Sequence, residues 1–175
     1  MTASKGLAAL LLACVSLPCA QARTLPVPDQ RPTPGNEAPP LPIARAAYST
    51  PVNYLLQCAG CHLDRGQGSA QNDTPRLEGF VGNFLKVEGG REFLVRVPGV
   101  SQSALNDQQV ADLLNWLLDR DGMAGSSTPE HWQRYTAQEV GRLRSQSMLD
   151  LPKVRRGLIQ ALRAQGIVID DGLRH

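Results

Sequence analysis

Two thiols and an imidazole stand together in Cys58-Ala59-Gly60-Cys61-His62. Sulfur and ring nitrogen at this spacing serve three chemistries: a redox-cycling disulfide, a metal site, or thioether attachment of a porphyrin whose iron takes the histidine. The surrounding residues separate them. A structural zinc site needs four ligands, usually from two separated pairs, and beyond the leader there is one cysteine pair with His131 and His175 as further histidines. A thioredoxin-like dithiol follows a strand in a βαβ unit, which the residues before Cys58 do not suggest. The Cys-x-x-Cys-His order matches c-type haem attachment: one turn of helix sets each thiol to add to one vinyl group, and His62 then lies under the iron.

The elements that must position this motif are helical. A domain starts near Ser49-Thr50-Pro51, with Thr50 as cap, Pro51 at the first position, and Val52, Leu55, Leu56 and Ala59 following at helical spacing into the motif. Leu63 to Gly79 is a long loop rich in Gly, Gln, Ser, Asn and Asp, and loops of that length usually serve a function. Short helices are expected over Phe80 to Val87 and Arg91 to Val97, split by Gly89-Gly90 and stopped by Pro98-Gly99. The clearest helix runs from Asn106 to about Arg120. Asn106 and Gln109 form its capping box, and Val110, Leu113, Leu114 and Leu117 form its apolar stripe, to be buried against the first helix.

The ends carry other signals. Lys5, the apolar run Gly6 to Val15 and Ala20-Gln21-Ala22 read as an export signal cleaved after Ala22, so residues 1–22 are expected to be a signal peptide. Leu11-Leu12-Ala13-Cys14 loosely matches a lipoprotein cleavage box, a weaker fit than the Ala22 site. Residues 23–47 hold seven prolines and form an extended linker. No stretch of about twenty apolar residues follows, so no transmembrane segment is expected in the mature protein. A net charge of +2 gives no nucleic-acid footprint.

Within an expected haem domain at residues 48–122, the segment from about Ser49 to Arg120 resembles the class I cytochrome c family: helix, Cys-x-x-Cys-His, polar loop, short helices and an amphipathic closing helix follow in the family's order. Thr74-Pro75-Arg76-Leu77 is similar to the family's proline loop. The resemblance implies an all-α fold around one haem c, covalent to Cys58 and Cys61, with His62 as proximal iron ligand. It also implies that the Pro75 carbonyl accepts a hydrogen bond from His62, the alternative being an ordinary turn proline. The resemblance breaks where many members have a Met-Pro pair whose sulfur binds the distal side of the iron; here Val97-Pro98 stands. Met123 is the first remaining distal candidate, Met148 and His131 come next, and an open distal site is the other outcome.

Residues 123–175 form a basic extension with two helical signals, Thr136 to Glu139 as a capping box and Asp150-Leu151-Pro152 ahead of Val154, Leu158, Ile159 and Leu162. Its arginines read as a solvated face or as a docking surface for an acidic partner. With no catalytic set outside the haem motif, the expectation is a periplasmic electron carrier rather than an enzyme. It would accept electrons from an exported dehydrogenase and pass them to a cytochrome or terminal oxidase. The alternatives are a ligand-sensing or weakly peroxidatic haem with an open distal site, and a docked subunit of a dehydrogenase complex.

Overall fold

Proline and small polar residues ahead of Cys58 do open a helix, and a computed structural model describes it within residues 48–146 and 148–173. The expected signal peptide, the linker and Cys14 lie outside the described residues. Helix α1 spans Thr50–Gln57, with Ser49 in the extended cap position, so Thr50 and Pro51 are its first two residues rather than cap and first residue. Pro51 fits there because an N–H at that position has no helical acceptor. Helix α2, Ala59–His62, follows a break at Cys58, whose φ is −122°. The motif therefore bridges two helices, joined by the Cys58 carbonyl, which accepts from the amides of Cys61 at 3.1 Å and His62 at 2.9 Å.

The buried face of α1 differs from the expected one. Val52, Leu55 and Leu56 are exposed, Leu55 and Leu56 by 54% and 55%, while Tyr54 and Asn53 are buried. The reason is Tyr54. Its ring packs 5.7 Å from that of Trp116 and its hydroxyl donates to the Leu63 carbonyl at 2.6 Å. One aromatic buries roughly 200 Å² and adds a ring pair worth about 1 kcal/mol beyond that area, and its hydroxyl meets a carbonyl that an aliphatic side chain would leave without this partner.

Residues Val81–Lys86 form a 3₁₀ helix rather than an α-helix over 80–87. Its close packing depends on absent side chains: a Cβ on Gly90 would lie 1.9 Å from the Phe84 carbonyl oxygen, and one on Gly82 would meet Thr128. Gly89, at φ 77°, caps α3, Gly90–Arg96. Pro98-Gly99 does not simply stop the chain. Val97 takes the extended backbone that a following proline imposes, and Pro98 then opens a one-turn helix α4, Pro98–Ser101. Helix α5, Asp107–Leu117, has the expected capping box, Asn106 and Gln109 exchanging two bonds of 2.9 Å, and ends three residues before Arg120. Val110, Leu113, Leu114 and Leu117 are all buried.

The core continues past Gly122. Helix α6, Ala137–Arg144, and helix α7, Leu151–Ala164, bury Val140, Leu143, Leu158, Ile159 and Leu162 in the same cluster as Phe84, Phe93 and Leu114. Several basic residues expected on a solvated face are instead internal ties. Arg144 donates to the carbonyls of Ser101, Ser103 and Leu105 at 3.1, 2.9 and 2.8 Å and pairs with Asp107. Arg91 of α3 pairs with Glu139 and stacks 4.0 Å over the Tyr135 ring, whose hydroxyl donates back to the Arg91 carbonyl. Arg142, Lys153, Arg156 and Arg163 are exposed. The described residues are all-α: they contain helices, turns and a single isolated bridge, Ser69 to Thr74. No helix among them is long and apolar enough to cross a membrane.

Candidate haem site

The chain leaves α2 through an unusual turn that decides where His62 points. Leu63 sits at φ 63°, a region that strains a branched side chain, and the Tyr54 hydroxyl holds its carbonyl. Gly66 and Gly68 follow at φ 76° and 71°, and the Gly68 amide donates to the His62 carbonyl at 3.0 Å. Ser69 and Thr74 then exchange amide bonds of 2.8 and 2.9 Å around a short 3₁₀ turn, Ala70–Asn72. That reversal lays Thr74–Arg76 over Gly68 and sets the Pro75 carbonyl 3.0 Å from His62 Nδ1.

Geometry fixes the chemistry of the imidazole. A carbonyl can only accept, so His62 Nδ1 carries the proton and Nε2 keeps its lone pair for a metal. Burial pulls the His62 pKa below its ordinary value, against a smaller opposing pull from the Pro75 bond, so the ring is neutral at neutral pH, the form that ligates. Both thiols are unpaired, Cys58 half-buried and Cys61 exposed. Burial, and then the neighbouring Cys61, push the Cys58 thiol up to about 11. Among the described residues no group of three or more His, Cys, Asp and Glu is placed to hold a metal ion by itself.

These residues fit a porphyrin and fit the two competing chemistries less well. Two unpaired thiols, Cys58 at the break between α1 and α2 and Cys61 within α2, stand beside an imidazole with one nitrogen locked and the other free, the set that two covalent anchors and one axial ligand would require. Hydrogen-bonded Nδ1 is what raises the basicity of a ligating histidine.

The structure gives the distal candidates separate places. Met123 packs its sulfur on Gly66, where a Cβ would come within 2.3 Å of it, and its carbonyl accepts from the Gly79 amide at 2.9 Å. It is thus seated against the loop that backs His62. Met148 is half-buried against the core and His131 is exposed. Arg91, at the start of α3, is committed to Glu139 and the Gln133 carbonyl.

Sequence reasoning missed Tyr54, Gly66 and Gly68 as parts of this site. Gly66-Gln67-Gly68 directly after the motif was the available signal, since paired glycines mark positive φ or close backbone approach. A Cβ on Gly68 would lie 2.6 Å from the Pro75 carbonyl carbon and the Thr74 oxygen, both backbone atoms that cannot swing aside. Gly68→Ala should therefore cost about 2–4 kcal/mol through overpacking and left-handed strain. Thermal unfolding of the variant measures that cost, and loss of the His62 to Pro75 bond should accompany it.

Comparison with known proteins points the same way. A protein named cytochrome c-552 from Thermus thermophilus is 34% identical over 120 residues, spanning 58% of this chain and 79% of its own. A second cytochrome c-552 sequence from the same species is 34% identical over 115 residues, spanning 55% and 86%. No family model matches the chain.

Proposed function

The chain belongs to the class I c-type cytochromes, and from that premise we propose that Cys58 and Cys61 carry its haem c while His62 binds the iron from the proximal side. It is a monohaem electron-transfer protein rather than an enzyme. The haem c of such a protein is covalently bound, contains iron and supplies a one-electron couple. The observation that carries the residue assignment is the 3.0 Å bond from His62 Nδ1 to the Pro75 carbonyl, beside two unpaired thiols. Tyr54 holds the turn after His62, and Gly66 and Gly68 let the loop close so that Pro75 reaches the ring.

Export completes the reading. The leader-like residues 1–22 support a periplasmic setting, and covalent attachment keeps the cofactor on a small domain after export. An exported dehydrogenase would then be the donor, and a cytochrome or terminal oxidase the acceptor. Two arginines of the extension, Arg144 and Arg155, are held in partly buried ion pairs, which leaves the docking role of its basic face to its exposed members.

A second reading concerns the distal side, and one pair of observations favours it. Val97 stands where the resemblance places a ligating methionine, and the sulfur of Met123 is packed on Gly66. A sixth ligand approaches the iron from the face opposite the proximal histidine, so a sulfur held by the proximal loop is poorly placed to serve. On this reading the distal position is open. The absorption spectrum of the matured protein tests it: a ferric high-spin spectrum that changes with cyanide, or a ferrous one that changes with carbon monoxide, supports the open site. A methionine-to-iron charge-transfer band, lost in Met123→Leu or Met148→Leu, refutes it.

A further inference from the structure

We propose that the C-terminal tail is a latch on the proximal loop, with Asp171 as a positioning residue that governs how firmly Pro75 grips His62. The proposal rests on His62 being the iron ligand, and its test fails separately from that reading.

The peptide group joining Pro75 to Arg76 is bonded at both ends. Its carbonyl oxygen accepts from His62 Nδ1 at 3.0 Å, and its N–H donates to the main-chain oxygen of Asp171 at 2.7 Å. A peptide is planar and rigid, so it cannot rotate to loosen one bond without disturbing the other. Hydrogen bonds in series also polarise one another: an N–H that donates makes the carbonyl of the same amide a stronger acceptor. Asp171 thus acts through Arg76 and Pro75 on the ring that ligates, 109 positions back in the chain.

The tail is built to hold that oxygen still. The Asp171 side chain is fully buried, pairs through one carboxylate oxygen with Arg155 of α7, and accepts from the Leu173 amide at 3.0 Å through the other. Burial of a carboxylate is tolerable only with such partners. Alongside, the Arg76 guanidinium donates to the Asp170 carbonyl at 2.6 and 3.2 Å and pairs with its carboxylate. The extension therefore has a task at the haem site: α7 positions the tail, and the tail pins the loop. A stronger acceptor on Nδ1–H raises the electron donation of the imidazole and favours ferric iron, so the latch lowers the reduction potential.

The test compares matured wild-type protein with Asp171→Asn and with Arg155→Lys, which keeps the charge but shortens the reach and so weakens the pair with Asp171. Asp119→Asn, which removes a surface pair with Arg134, is the control. Expected in both latch variants are roughly tenfold faster hydrogen exchange at the Arg76 amide, faster solvent exchange of the His62 Nδ1 proton seen by NMR, and a higher midpoint potential. The control should change none of these. The proposal is overturned if exchange rises over residues 167–173 while the Arg76 amide, the Nδ1 proton and the potential remain as in wild type. Should Asp171→Asn not mature, Arg155→Lys decides on the same readouts. A wild-type chain that matures without haem sinks the functional reading instead.

Discussion

Ending the chain at Gly122 should yield no folded haem protein. The deletion removes the buried side chains of Tyr135, Val140, Leu143, Leu158, Ile159 and Leu162. Each buried side chain of this size contributes about 2 kcal/mol, so their joint loss is on the order of 10 kcal/mol, as large as the net stability of an ordinary domain. It also strips Arg144 from the carbonyls of Ser101, Ser103 and Leu105, and Glu139 from Arg91. Circular dichroism of the truncated chain should show no cooperative melt, and haem staining of the expressing cells should be weak. A truncated chain that melts within a few degrees of wild type would mean that the extension is an appendage after all.

His62→Ala should reduce covalently bound haem of normal spectrum by roughly tenfold or more, because it removes the proximal ligand together with the bond that anchors the proline loop. Cys58→Ser and Cys61→Ser should each prevent a stable two-anchor attachment, with the exposed Cys61 and the half-buried Cys58 giving the same phenotype despite their different surroundings. The pattern across the three variants is diagnostic. A structural role for His62 alone would lower the melting temperature and leave the spectrum of the surviving protein unchanged. Haem content is read from the alkaline pyridine spectrum per mole of chain, and equal content in wild type and all three variants would remove these residues from the site.

Much of this was written in local patterns. The capping box at Asn106 and Gln109 and the stripe from Val110 to Leu117 gave α5 because each depends only on residues a few positions apart. The Cys-x-x-Cys-His order gave the candidate site for the same reason. What periodicity could not reveal was which face of α1 turns inward, since Val52, Leu55 and Leu56 repeat as regularly as a core stripe while Tyr54 takes the buried place. That choice is settled by Trp116, far along the chain, and by the Leu63 carbonyl. Asp171 is the sharper case: an acid in a polar tail reads as solvated, and its burial follows only from Arg155 and the Arg76 amide meeting it in space. Pro98-Gly99 reads as a stop in the sequence, whereas Pro98 opens a further turn after an extended Val97, because a proline suits the first position of a helix as well as its end.

One measurement bears on the central claim most directly: mass analysis of the peptide containing Cys58 to His62, taken from mature protein after acid solvent has stripped any non-covalent haem. The account predicts that this peptide alone carries the mass of one haem and the iron-porphyrin absorption. A colourless peptide of unmodified mass, with its two thiols free or joined to each other, would contradict it.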